Sequence, residues 1–456
     1  MVFIDLIEKI RELTVIKNNR SKNIAKHLGW SIVYKVGSIL ANFLLVPITI
    51  NYLSIENYGI WLTLTSFIAW FSFFDIGLGN GLRNKFAEAK ATGNYKEAQG
   101  LVSTAYFTIS AISIVLILLF VLCNFFIDWS NFFNTSINVK KELSILMPIV
   151  FAFFAIQLVL KLITTIYQAD QNHSIQNKFQ FFSQVGSVLI IWLLTQTNNN
   201  SLLIFGVVFS AIPFVLLLFL NFYAFNGVYK TYKPLPKLWK REYLLDISGL
   251  GLKFFVVQIA ALILFSTDNY IITKLFSPEE VVPYNIAFKY YSIITMGYTI
   301  LITPFWSSFT EAYKNEDFNW IKNSVKKIQK IWFLIPIALL VMTLLADWFY
   351  DKWVGDSITI PANLSYSMAL FVAMVTFNMI YVNFINGVGK IKLQLYSSVV
   401  SMIINIPLSI FMGKNLGLGT TGVILATCIC LSYSVFLWPI QYRKLIENKA
   451  TGIWNQ

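Results

Sequence analysis

FDIGLGNGLRNKFAEAKATGNYKEAQ, residues 74–99, decides how the rest of the chain is read. It begins as the end of an apolar run and passes Gly77, Gly79 and Gly81. It then becomes a charged amphipathic helix that leads straight into the next apolar run. Asp75 and Arg83 flank the glycines, where the apolar run gives way to polar residues. One reading of the glycines is a phosphate-cradling loop. No strand precedes them, however, and their spacing fits neither G-x-G-x-x-G nor G-x-x-x-x-G-K-[ST]. The pattern favours close helix packing and a break in a membrane helix.

Composition supports that setting. The 456 residues are 57% hydrophobic and only 12% charged, against about 25% charged in soluble globular proteins. With many apolar runs of about 20 residues, this composition describes a polytopic membrane protein. Cys123, Cys428 and Cys430 lie inside apolar runs and read as small hydrophobes rather than metal ligands. His27 and His173 are far apart and have no partner motif, which argues against a zinc enzyme or a Ser-His-Asp hydrolase. The net charge of +13 fits basic connections facing an anionic leaflet better than nucleic-acid binding.

Twelve apolar segments lie near 29–51, 58–78, 102–127, 143–166, 179–195, 201–224, 250–272, 281–303, 329–349, 361–385, 391–412 and 420–440. Each is long enough, or nearly so, to cross a hydrocarbon core of about 30 Å as a helix. Prolines such as Pro47, Pro148, Pro213 and Pro336 inside them are tolerated as kinks. Lys and Arg concentrate in alternate connections: the N-terminal segment, 82–100, 225–249, 306–328 and the tail. Twelve spans with both ends cytoplasmic satisfies that alternation. Residues 2–16, VFIDLIEKIRELTVI, place Phe3, Leu6, Ile7, Ile10 and Leu13 on one helical face. They read as an interfacial helix and not as a cleaved signal. The expected layout is an N-terminal segment at 1–28, a six-helix bundle at 29–224, a linker at 225–249, a second bundle at 250–440 and a tail at 441–456.

The halves resemble each other. A shift of 223 positions aligns Ser54 with Ser277, Glu56 with Glu279, Phe86 with Phe309, Glu88 with Glu311, Ala89 with Ala312 and Tyr95 with Phe318. With an even number of spans per half, this is a parallel repeat. The fold class expected is therefore an all-α membrane protein of twelve helices in two pseudosymmetric six-helix bundles.

Charges inside the spans carry the chemistry, because an ionisable group at mid-bilayer costs about 2.5–3.5 kcal/mol even on the lenient scale. They are Lys35, Lys161, Lys253, Asp268 and Lys289. Lys35 reads equally as a cavity cation for an anionic substrate or as a snorkelling side chain. Snorkelling is favoured for Lys161 and Lys253, and a cavity role for Lys289. Asp268 is expected to pair with Lys289 or, less favoured, to hold a coupling cation. Asp75 and Arg83 are the gating candidates at the inner mouth. Asn42, Gln157, Gln184, Gln258, Asn269, Asn378, Asn383 and Asn405 suit interhelical bonding more than sugar recognition. Trp61, Trp129, Trp306, Trp348 and Trp353 read as interface anchors.

Residues 74–106, FDIGLGNGLRNKFAEAKATGNYKEAQGLVSTAY, resemble the characteristic segment of bacterial polysaccharide transporters, the Wzx-type O-antigen and capsule flippases. LSIENYGIWLTL, residues 53–64, is similar to the same family. The resemblance implies a MATE-like fold of the multidrug/oligosaccharidyl-lipid/polysaccharide exporter superfamily, in the bacterial inner membrane. It also implies transfer of an undecaprenyl-pyrophosphate-linked oligosaccharide to the periplasmic leaflet by alternating access through a cationic cavity. In that reading the cavity cations are Lys35, Lys289, Lys253 and Lys161. The partners are the lipid-linked oligosaccharide, the bilayer, and a polymerase and chain-length regulator of the same pathway. No nucleic acid and no cofactor beyond a coupling proton or sodium ion are expected. Two alternatives call for other features. A cation-coupled multidrug or small-molecule exporter would carry more carboxylates in its N-terminal bundle. A membrane-embedded polysaccharide polymerase would need a larger outer loop with catalytic groups.

Overall fold

The computed structural model describes residues 19–75, 78–170, 172, 174–197, 199–248, 266–303 and 305–456. Among them every regular element is helical. The principal helices are α1 (Asn19–Tyr52), α2 (Ile55–Ala69), α3 (Leu78–Ala91), α4 (Tyr95–Asn124), α5 (Lys140–Leu160), α6 (Leu162–Ala169), α7 (Ser174–Thr195), α8 (Leu202–Asn226) and α9 (Arg241–Ser248). They continue as α10 (Asp268–Leu275), α11 (Val281–Ile302), α12 (Phe305–Lys314), α13 (Phe318–Trp332), α14 (Leu334–Leu344), α15 (Ala346–Val354), α16 (Ala362–Val388), α17 (Lys392–Ile410) and α18 (Gly419–Ile446).

Nine helical stretches among the described residues are long and apolar enough to cross a membrane. The other three expected spans differ for identifiable reasons. The second is α2 followed by a 3-10 segment, Trp70–Asp75, just before the glycines, so its regular part is short. Most of the seventh lies outside the described residues. The eighth, α11, runs 22 residues, but Asn285, Lys289 and four tyrosines lower its hydropathy. The helices are apolar outside and enclose polar groups within a largely apolar core. Leu118, Leu122, Phe219, Phe222, Leu340 and Leu344 are exposed, whereas Thr104, Thr376, Asn405 and Gln441 are fully buried. A lipid solvent selects for that arrangement, since the polar groups must find partners within the protein. Trp61 and Trp129, expected at the interface, are instead core residues. Trp129 Nε1 donates to Asn124 Oδ1 at 2.7 Å, which a buried indole requires.

The chain forms two compact units. Unit 1 comprises residues 1–52, 72–129 and 138–255, and unit 2 comprises 53–71, 130–137 and 256–456. The core of unit 1 centres on α3. Leu82, Phe86 and Ala89 pack with Leu101, Val102 and Ala105 of α4, and with Ile163 and Ile166 of α6. Unit 2 is built on α10, α11, α16, α17 and α18, with α2 grouped beside α10 and α11.

The repeat read from the sequence reappears as one turn made twice. After the first F-x-E-A motif, Asn94 N donates to Ala89 O at 2.9 Å and Tyr95 N to Gly93 O at 3.1 Å. The Asn94 side chain then caps α4 through Glu97 N. After the second, Asp317 N donates to Ala312 O at 2.9 Å and Phe318 N to Glu316 O at 2.8 Å. Asp317 caps α13 through Trp320 N. These five positions correspond at the 223-residue shift. Phe86 and Phe309 are both fully buried. The turn needs a left-handed residue, which is Gly93 at φ 75° in one copy and Glu316 at φ 56° in the other. That conformation costs a non-glycine residue about 1 kcal/mol. Gly93→Ala is therefore expected to lower the stability of the purified protein by about 1 kcal/mol. An unchanged melting temperature would show that the turn tolerates the side chain.

Candidate functional site

In unit 1, Lys35 lies on α1 and is half-buried. It makes no ion pair with any described residue. Its neighbour Tyr34 packs on α7, with ring centroids 5.6 Å from Phe181 and 6.2 Å from Phe182. Gly37, one turn of α1 from Tyr34, permits this approach: a Cβ there would lie 2.5 Å from the Phe181 ring. Lys178 of α7 places its Nζ 5.6 Å from the centroid of the Tyr34 ring, within cation–π range. A second cation, Lys178, thus lies against the residue next to Lys35 in the same unit. Lys161 occupies the break between α5 and α6 and is exposed. Lys253 lies outside the described residues, as do the N-terminal residues 2–16.

In unit 2, Asp268 opens α10 and is buried. The expected pairing with Lys289 is absent. Tyr284 Oη instead donates to Asp268 Oδ2 at 2.5 Å, while Asp268 Oδ1 has no partner among the described residues. The helix geometry of α11 explains the difference. Lys289 follows Tyr284 by five residues, about 140° round the helix, so the two cannot both face Asp268. Lys289 is half-buried and forms no ion pair with any described residue.

The polar residues of the spans, beside Asp268 and elsewhere in each unit, bind neighbouring polar groups. Asn285 Nδ2 donates to Asn269 Oδ1 at 2.8 Å, and Asn269 Nδ2 donates to Ser66 Oγ at 2.8 Å. Thr63 and Thr273 hydroxyls share a hydrogen bond of 2.6 Å. Asn378 binds Ser434, and Asn405 binds Thr427 at 3.0 Å. Gln157 donates to Ser210 O at 3.3 Å. These amides join helices, as expected for polar groups in lipid. Asn383 differs, since it bonds Met379 O within its own helix.

The gating expectation meets a different constellation. The side chain of Asp75 is outside the described set, and Arg83, half-buried on α3, forms no ion pair with any described residue. The ion pair on α3 is made by Lys90, whose Nζ lies 2.6 Å from Asp170 Oδ1 and 2.5 Å from Oδ2. Asp170 caps the end of α6, so the pair ties α3 to α6. Lys90 Nζ also lies 6.0 Å from the ring centroids of both Tyr229 and Tyr232. Burial, and after it the charge of Asp170, push the Tyr229 phenol well above its usual range, so it remains a neutral ring beside the pair. Both partners are partly exposed, and Lys90→Met is expected to lower stability by about 1 kcal/mol. A double-mutant cycle with Asp170→Asn checks this, and a coupling near zero would show that the pair is incidental. No spacing motif announces this pair, because its members are 80 residues apart.

Within the glycine stretch, Gly81 packs as its sequence suggested. A Cβ on Gly81 would fall 1.8 Å from the carbonyl oxygen of Ile247 on α9. That distance makes this glycine a site of backbone-to-backbone contact between helices and gives no sign of an anion cradle.

Apolar-out helices, polar seams between them, and Lys35 and Lys289 without ion pairs among the described residues describe a multi-pass, all-helical membrane protein, and its fold is MATE-like. Solved structures share that fold. The inward-facing form of a multidrug resistance MATE family transporter of the MOP superfamily aligns over 92% of this chain and 98% of its own, with TM-score 0.75 and 13% identity. An outward-facing form aligns over 93% and 96%, with TM-score 0.64 and 16% identity. The chain belongs to the polysaccharide biosynthesis protein family, whose model matches residues 24–310. A second model, MatE, matches residues 254–411. A Yersinia pseudotuberculosis protein provisionally named an O-antigen export protein is 23% identical over 90% of this chain and 94% of its own length. A Salmonella typhi protein provisionally named an O-antigen transporter is 21% identical over 75% and 77%.

Proposed function

We propose that this chain is a flippase of the bacterial inner membrane, with both ends cytoplasmic. Its cargo is an undecaprenyl-pyrophosphate-linked oligosaccharide repeat unit of O-antigen or capsule, moved to the periplasmic leaflet by alternating access. The observation that carries the reading is the family match, joined to Lys35 and Lys289, which have no carboxylate partner among the described residues. A pyrophosphate and a polar glycan do not cross hydrocarbon unaided. Lys35 in unit 1 and Lys289 in unit 2, half-buried and without an ion pair among the described residues, each offer the pyrophosphate a charge-assisted hydrogen bond at some stage of its passage. The polyprenyl chain stays in lipid. The relatives' names favour transport over catalysis, so no chemical step on the cargo is assigned. The coupling ion, a proton or sodium, would engage Asp268, whose Oδ1 lacks a partner among the described residues.

Complementation tests the cargo. The gene is placed in flippase-null strains that each build one defined repeat unit. Restored surface glycan with one unit and not others is the expected result. Growth rescue by drug efflux in these strains, without restored glycan, would replace the reading with a multidrug exporter.

A further inference from the structure

The end of unit 2 that carries the basic connections holds a cleft of about 160 Å³, the volume of roughly five waters. It opens between α13, the last turns of α16 and the end of α18. Tyr381 and Tyr442 form one wall, with ring centroids 5.6 Å apart. Gln329 Nε2 donates to Tyr381 Oη at 2.7 Å. The phenol oxygen is the acceptor in that bond, so its own proton is free for another partner. Lys322 and Arg443 also line the cleft, and neither forms an ion pair with any described residue. The one carboxylate there, Glu447, is already held by Lys449 at 2.9 Å. The hydrogen bond and charge of Lys449, followed by the charges of Arg443 and Lys322, hold the Glu447 carboxyl below its ordinary range. With Glu447 held by Lys449, the two lining cations Lys322 and Arg443 leave the cleft positive, and the side chains free to bond are donors.

We propose that this cleft binds a phosphate-bearing anion, either a lipid headgroup phosphate or free phosphate or diphosphate. The Arg443 guanidinium offers a planar fork to two phosphate oxygens. Lys322 adds a point charge, and the phenol proton of Tyr381 a directional bond. The volume accommodates a phosphate or diphosphate group, and the lining donors suit that group's oxygens. The inference is independent of the proposed cargo, because bilayer phospholipids carry the same group.

Full-length protein in phosphatidylcholine nanodiscs is titrated calorimetrically with inorganic pyrophosphate. Saturable binding is expected. Arg443→Gln should weaken it about tenfold, as loss of a charge-assisted bond requires. Glu447→Gln should tighten it about twofold by removing a screened repulsion. Lys322→Gln gives the same reading as Arg443→Gln if that variant fails to fold. Repeating the titration in phosphatidylglycerol nanodiscs separates the sources. If affinity falls in wild type but not in Arg443→Gln, the lipid headgroup is the occupant; if it is unchanged in both, the ligand is the free anion. Absence of pyrophosphate binding to wild type would overturn the proposal, as would an affinity indifferent to both Arg443→Gln and Lys322→Gln. Either result leaves the transport reading untouched, since complementation measures that separately.

Discussion

Combining Lys35→Gln with Lys289→Gln is expected to cut export of surface polysaccharide on the order of a hundredfold while leaving a folded protein in the membrane. Each charge-assisted hydrogen bond to a pyrophosphate oxygen contributes about 1.5–3 kcal/mol. Losing two therefore slows export on the order of a hundredfold. Each single substitution should cost roughly tenfold by the same reckoning. Folding should survive, because neither lysine is ion-paired among the described residues and no charge is orphaned by its removal. Lys→Arg at both positions keeps the charge and should retain most export. Quantifying surface glycan and membrane abundance together checks the claim. Wild-type glycan from the double variant would remove these lysines from the mechanism.

The largest effect on stability is expected at two glycines. A Cβ at Gly81 would lie 1.8 Å from Ile247 O in unit 1, and one at Gly59 would lie 1.8 Å from Pro278 O in unit 2. In both cases the obstacle is backbone, so relief requires a helix or a turn to move. Overpacking of a tight core usually costs about 1–3 kcal/mol, with rigid obstacles at the upper end. Gly81→Ala and Gly59→Ala should each lower stability by about 3 kcal/mol. Thermal unfolding of the purified variants in detergent measures this. A shift no larger than that of Gly93→Ala would mean that the helices separate easily at these points.

The architecture was legible because its cause is local. Apolar runs of membrane length, alternating basic connections and the F-x-E-A repeat are properties of consecutive residues. The turn after the repeat follows from local chemistry too, since Asn94 and Asp317 are both good N-caps. Gly81 was legible as packing, though not its partner Ile247. What escaped depends on rotation and long-range pairing. Asp268 was matched to Lys289 on charge alone, but the phase of α11 brings Tyr284 to the carboxylate instead. Trp61 and Trp129 sit near helix ends in sequence, yet tertiary packing encloses them. Lys90 was counted among basic loop residues. Its bond to Asp170 depends on α3 lying against α6, which no spacing rule shows.

The central claim is that the chain moves a lipid-linked oligosaccharide across a bilayer. The most direct test reconstitutes the purified protein in liposomes loaded on the inner leaflet with undecaprenyl-pyrophosphate-linked oligosaccharide. Glycan reaching the outer leaflet is then counted with an impermeant lectin. The account predicts protein-dependent appearance of glycan outside, slowed on the order of a hundredfold when Lys35 and Lys289 are both Gln. Transfer no faster than in protein-free liposomes, for every repeat unit whose surface display the gene restores, would contradict it.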